Sequence, residues 1–290
     1  MPFVQGATIA PLGRHKPCGG PRNLPNNRRR PSGYIQAWGI SLVLAKLIAA
    51  GDGESARWQA LLTKLPPYPV SANGELAEWP DGRLDPGHRH HSQLYPCYQS
   101  FDPLFETDAA LRKAAQASVR AKIAGSDGGG EQSSFGRVQC GVAAAYLGMA
   151  EEAYGRLQVM AVQHSMTPSL ITSHEPNGDI FNTDGNGGIP QIANTLLLIS
   201  RPGQIDLLPA LPKDWPSGKV TGLRARRNFT VDIEWKEGKV TSYHVTSPEP
   251  SKVKVSVNGE VKTVTSEKRG CDEKETPELQ SKHENIKNIP

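Results

Sequence analysis

The segment FNTDGNGGIP, residues 181–190, sets one carboxylate, Asp184, among glycines, with Asn182 and Asn186 two residues away on either side. Oxygen ligands at alternate positions ahead of a glycine are how a calcium-binding EF-hand loop begins. The match stops at the twelfth position, where a bidentate glutamate belongs and Ala193 stands. Neither GxxxxGK[ST] nor GxGxxG occurs, so the loop is no phosphate cradle of those kinds. Two readings remain for Asp184. It is an ordinary turn residue beside glycines, or it is a carboxylate held at a helix N-terminus, where the dipole and free N–H groups favour the ionised form.

A second cluster is HRHHSQLYP, from His88 through Arg89, His90 and His91. Imidazoles two residues apart on an extended chain can share a zinc ion, but further ligands at sensible spacing are missing and Arg89 would oppose a cation. The competing reading is a sugar or anion pocket, in which an arginine fork and imidazoles bind hydroxyls while Trp79, Tyr95 or Tyr98 pack on apolar ring faces. An exposed histidine-rich loop is the plain alternative. Nearby, GELAEW places Glu75 and Glu78 beside Trp79. A carboxyl desolvated against an indole suits a general acid, whereas a surface glutamate has no such role. No GxSxG elbow is present, and Cys140, within GRVQCGVAAA, reads as a buried and inert helix residue. Neither a metal nor another cofactor is expected.

The elements that must hold these groups follow from composition and period. The chain has 290 residues, of which 37% are hydrophobic, enough for one large or two ordinary cores. No apolar run is long enough to span a bilayer, so no membrane partner is expected. The net charge is only +4, and much of the excess lies in NNRRRP (26–31) and RARR (224–227), which argues against a nucleic-acid partner. Four cysteines are scattered without a CxxC spacing, which fits neither a zinc ribbon nor a disulfide framework. The first twenty residues lack the pattern of a secretion signal, so the protein is expected to stay inside or to have its true start upstream.

Residues 1–35 mix Pro, Gly, Asn and Arg without periodicity and read as an irregular arm. Helices are expected over IQAWGISLVLAKLIAAG and GESARWQALLTKLPPYP, then a long loop over 71–106. Thr107 is expected to cap DAALRKAAQASVRAKIAG, which ends at Gly125, and SDGGGEQSS reads as a mobile link. FGRVQCGVAAAYLG, AEEAYGRLQVMAVQHS and IPQIANTLLLIS follow as helices, the last with Pro190 in its first turn. The period then changes to two: FTVDIEW, KVTSYHV, and VKVSVNGEVKTVT with Asn258-Gly259 at a hairpin tip. The expectation is an α+β multidomain protein: an arm (1–35), a helical domain (36–200), a small antiparallel β-sandwich domain (201–265) and a disordered tail (266–290).

In this order, GELAEW, HRHHSQLYP, FNTDGNGG, LLPALPKDWPSGKVTGLRAR and FTVDIEW resemble the C-terminal part of glycoside hydrolase family 95, the inverting α-L-fucosidases with some α-L-galactosidases. The resemblance covers roughly residues 36–245 and implies an (α/α)6 toroid of paired helices followed by a small β domain. It implies that Asp184 supports a water-activating asparagine, with the glycines letting backbone crowd close to the sugar. It implies that Arg89 and His90 hold the sugar, with Trp79, His88 and Asn186 as further pocket groups and Glu78 an outside candidate for the acid. The oligosaccharide substrate is then the expected partner. The family's acid motif (SPEN type) and asparagine motif (NxN) are absent from this sequence, and the loop lacks the aromatic residue that usually follows its asparagine. The helical barrel is therefore expected to be incomplete, with weak activity, its exposed helix faces awaiting a missing half or self-association. A non-catalytic carbohydrate-binding or assembly module, and an incomplete product that folds poorly, are the rival expectations. Full-length relatives are expected to be secreted, in keeping with the Asn228-Phe229-Thr230 sequon.

Overall fold

A computed structural model of the chain describes residues 55–269 apart from 80, 131–132, 163–165, 168 and 176–179. The arm over 1–35, the helix expected to end at Gly51, Cys18, Cys271 and most of the expected tail lie outside the described residues.

The first part is helical: α1 (Ser55–Leu62), α2 (Tyr95–Tyr98), α3 (Leu104–Thr107), α4 (Ala109–Asp127), α5 (Ser134–Tyr146), α6 (Ala150–Val162) and α7 (Thr183–Leu197). Helices α5, α6 and α7 pack on one another through small residues. Ala143, Ala144 and Ala145 are fully buried beside Leu147, Met160, Ile192 and Leu196. A Cβ on Gly141 would stand 2.8 Å from the Ile192 Cδ1 atom, so this glycine is needed for close approach. Gly148, with φ +74, makes the left-handed step between α5 and α6 that a side chain would resist.

Several boundaries differ from expectation. Asp108, not Thr107, caps α4: its carboxylate accepts from the Ala110 and Leu111 N–H groups, while Thr107 closes α3. The helix runs past Gly125 to Asp127, because that glycine is a packing contact and not a stop. The long 71–106 segment is interrupted by a 3₁₀ turn at Ser92–Leu94 and by α2, in which Pro96 occupies the tolerated first turn. Helix α7 begins at Thr183, so DGNGG is its first two turns and Pro190 lies inside it.

Leu197 ends the helices and Leu198 begins the strands: β1 (Leu198–Arg201), β2 (Gln204–Leu207), β3 (Gly218–Ala225), β4 (Phe229–Lys236), β5 (Lys239–Ser247), β6 (Lys252–Val257), β7 (Glu260–Thr265) and β8 (Glu267–Lys268). They form two four-stranded sheets, β1-β2-β6-β7 and β3-β4-β5-β8. Their inner faces share one core containing Ile205, Leu223, Phe229, Val231, Ile233 and Val255, which makes a sandwich. The sheets are mixed and not purely antiparallel, since β2 pairs parallel with β6 and β5 parallel with β8. Strand β8 also takes Glu267 and Lys268 out of the expected tail. Asn258 (φ 51) and Gly259 (φ 85) both adopt the left-handed conformation that a two-residue hairpin tip requires.

The segment 208–217 ties the helices to the sandwich. Ala210 enters the helical core while Leu211 packs against the sandwich core. The Trp215 ring meets Tyr154 edge-on at 5.5 Å, and its carbonyl accepts from the Trp235 indole N–H at 2.9 Å. Arg201 of β1 adds ion pairs to Glu106 of α3 and to Asp206 of β2.

The α5–α7 contact makes a sharp prediction. An added Cβ at Gly188 would fall 2.1 Å and 2.4 Å from the two Val138 methyl carbons. Replacing a helical glycine by alanine gains about 1 kcal/mol of propensity, but overpacking costs about 1–3 kcal/mol. Gly188→Ala should therefore lower the urea midpoint, and Val138→Ala added to it should restore part of the loss. An unchanged midpoint for the single variant would refute the close approach.

Candidate active site

The HRH loop is held by a buried cation. Lys122 of α4 is 1% exposed, and its Nζ donates to the Glu78 Oε1 atom at 2.6 Å and to the carbonyl oxygens of Asp85 at 2.7 Å and His90 at 2.9 Å. The His88 carbonyl lies at 3.4 Å from the same nitrogen. Three N–H bonds are thus directed at one carboxylate and two backbone turns of the loop, which satisfies a charge that would otherwise be costly to bury. Glu78 uses its other oxygen to accept from the Asp85 N–H at 3.2 Å. The carboxylate expected to lie desolvated against an indole as a proton donor is instead committed to Lys122 and the loop backbone. Trp79, its neighbour, carries the Arg83 guanidinium over its ring at 5.2 Å.

Glycines complete the seat. A Cβ on Gly125 would sit 2.2 Å from the Pro86 carbonyl oxygen, one on Gly130 would sit 2.7 Å from the Gly87 Cα, and one on Gly136 would sit 2.4 Å from the Arg89 carbonyl oxygen. Residues 86–89 therefore lie directly on the backbone of α4, of the link after it and of α5. Gly130, in the link expected to be mobile, is part of this seat.

The first turn of α5 is where the two motifs meet. Ser133 caps the helix by accepting from the Gly136 N–H at 3.0 Å, and the Ser134 N–H donates to the His174 carbonyl at 2.9 Å. The His90 ring packs edge-on against Phe135 at 5.9 Å and tilts against His88 at 5.0 Å. From the other side, a Cβ on Gly185 would lie 2.8 Å from the Thr172 Oγ1 and 3.1 Å from the Ser134 Cβ. The HRH loop thus rests on Phe135 and Gly136 and the start of α7 on Ser134, successive residues of one helix turn.

Asp184 is exposed in the first turn of α7, whose N-cap Asn182 accepts from the Gly185 N–H at 2.7 Å. Its carboxylate stands at the positive end of the helix. Asn186, expected to touch substrate, spends its amide on the fold: the carbonyl oxygen accepts from the Thr172 N–H at 2.9 Å, and the amide nitrogen donates to the Leu170 carbonyl at 3.2 Å. Gly185 and Gly188 pack closely on protein, while an added Cβ at Gly187 would have nothing within 4 Å among the described residues. No group of three or more His, Cys, Asp or Glu side chains converges as a metal site among the described residues. Cys140 is buried, and burial pushes its thiol up to about 12.

His91 lies beneath the loop, 5% exposed, with Lys122, His90 and His88 as its titratable neighbours. Burial and the Lys122 ammonium push its imidazole down to about 3. It is neutral at physiological pH. Sequence reasoning placed His91 among possible ligands and passed over Lys122 altogether. The signal for Lys122 was its place on the stripe Leu111, Ala115, Ser118, Lys122 of an otherwise apolar helix face.

The profile of the glycosyl hydrolase family 95 catalytic domain matches residues 37–196, and that of the glycoside hydrolase family 95 C-terminal domain matches residues 199–287. The chain is 30% identical to alpha-L-fucosidase 2 of Arabidopsis thaliana over 213 residues, 69% of this chain and 24% of that protein. It is 25% identical to probable alpha-fucosidase A of Aspergillus niger over 249 residues, 77% of this chain and 31% of that protein. It spans about a quarter to a third of the length of these relatives.

Two measurements check the anchoring. Lys122→Met should cost about 3–5 kcal/mol of unfolding free energy, since it strands a buried carboxylate. Adding Glu78→Gln should recover only part of that loss, because the Asp85 and His90 carbonyls still lack their donor; full recovery would show that the loop does not depend on the ammonium. For His91 the folded value lies below the ordinary 6.5, so the unfolded chain takes up a proton that the folded chain does not. The contribution of His91 to stability should be complete above pH 6.5 and be lost progressively as the pH falls towards 3. Between pH 6.5 and 5, His91→Gln should show a shallower slope than the unaltered chain, and equal slopes would mean that the buried imidazole protonates in place.

Proposed function

Because the chain belongs to glycoside hydrolase family 95, we propose that it carries part of an α-L-fucosidase-like site that hydrolyses a terminal L-fucosyl residue of an oligosaccharide with inversion. The observation that supports this reading is the convergence of the HRH loop and the start of α7 on one helix turn, through Ser134, Phe135 and Gly136. Helices α5 to α7 are, on this reading, consecutive members of a toroid of paired helices.

Inverting hydrolysis is a single displacement. An acid gives its proton to the departing glycosidic oxygen while a water attacks the anomeric carbon from the opposite face, and the proton of that water passes to a base. Asp184, on the positive end of α7, serves the water side by holding and polarising the group that activates the water. Arg89 supplies a planar fork of donors and His90 a ring against Phe135, and both suit sugar hydroxyls. Trp79 and His88 stand further along the same loop as pocket walls. Glu78 acts as a positioning residue, and the acid is left to a group other than Glu78.

The test combines binding with turnover. With a fucosyl aryl glycoside, Asp184→Asn should lower the rate by about 10²–10⁴ while leaving L-fucose binding within about threefold, and Arg89→Ala should weaken the binding itself. Binding without turnover in the unaltered chain would favour a carbohydrate-binding module, and neither binding nor turnover would end the fucosidase reading.

A further inference from the structure

We propose that the groove between α7 and the sandwich is a second saccharide site, which holds the units of an oligosaccharide beyond the sugar placed at Asp184. This rests on the reading above and names the substrate class of that same site. The groove is a cavity of about 750 Å³ bounded by Phe101 and Tyr146 on the helical side and by Arg224 and Arg226 on the sandwich side, with Gln191 and Asn194 between them.

The first observation is continuity. Asp184, Gly187, Gln191 and Asn194, with the C-cap residue Leu198, recur at intervals of three and four and so form one stripe along α7 to its end. The groove takes in the last four of them, beginning one turn from Asp184. At 1.5 Å per residue it extends about 16 Å along the helix, a length suited to an extended chain of sugars and not to one. Gly187, between the two regions, has nothing within 4 Å of an added Cβ among the described residues.

The second observation is the lining. Phe101 adopts φ +55, a left-handed conformation that a bulky side chain takes up only when its surroundings impose it, and such residues gather at binding sites. Its ring lies 5.4 Å from that of Tyr146, and the Arg226 guanidinium stands 4.8 Å above it. Arg226 is itself fixed, donating from Nε to the Ser200 carbonyl at 3.1 Å and from its backbone N–H to the Ser200 hydroxyl at 2.8 Å. Half-buried rings beside the exposed amides of Gln191 and Asn194 match a neutral polyol, which offers apolar ring faces and hydroxyls in alternation.

The experiment is calorimetric titration of the chain with L-fucose and with a tetrasaccharide ending in α-L-fucose, on the unaltered protein and on Gln191→Ala/Asn194→Ala. Both substituted side chains are exposed on a helix, so the variant should keep its melting temperature, and Arg226→Ala serves as an independent second variant. The tetrasaccharide should bind at least about tenfold more tightly than fucose, and that advantage should shrink to about threefold or less in either variant while fucose affinity holds. Equal affinity for the two ligands, or an advantage that survives both variants, would overturn the groove and leave the Asp184 site standing. Tetrasaccharide binding that depends on the groove residues, with no detectable affinity for fucose, would sink the Asp184 reading and keep the groove. Binding of neither ligand overturns both.

Discussion

One buried ammonium constrains the HRH loop. Lys122 lies where water cannot reach it, and it is tolerable there only because Glu78 and the carbonyls of Asp85 and His90 come to it. A charge in that position leaves the HRH loop little choice of conformation, since any departure strands a donor in the interior. The ammonium holds the loop by its backbone, at the carbonyls of Asp85, His88 and His90.

The glycines work to the same end by a different physics. At 125, 130 and 136 they remove the atoms that would keep the loop off the helices, and at 185 and 188 they let α7 settle on Thr172, Ser134 and Val138. None of these five needs a left-handed backbone. Their purpose is proximity, and the outcome is that two segments almost a hundred residues apart in sequence touch the same turn of α5.

Hydrophobic period was a sound guide wherever burial on one face sets an element, as for FTVDIEW, KVTSYHV and the Asn258-Gly259 hairpin. It failed where tertiary contact outweighs local preference. DGNGGIP reads as a loop because glycine and proline are poor helix formers, yet the Asn182 cap and the contacts at Gly185 and Gly188 carry the helix through it. The short strands β1 and β2 escaped because LLLIS is as apolar as the helix it follows, and β8 because its pairing with β5 comes from far away in sequence. At the site, residue types named the candidates well but not their occupations. Nothing in GELAEW or NTDGNGG reveals that Glu78 answers a lysine or that Asn186 answers Thr172, because both partners come from outside the motif.

Ala210 and Leu211 are neighbours in sequence that point into different cores, and Trp215 closes the same seam against Tyr154 and Trp235. A hinge at this place would have to withdraw a side chain from one interior or the other. The sandwich is accordingly a fixed wall, and a ligand that meets both walls finds its template already assembled. The ordering entropy that a swinging domain would charge against affinity has been settled during folding.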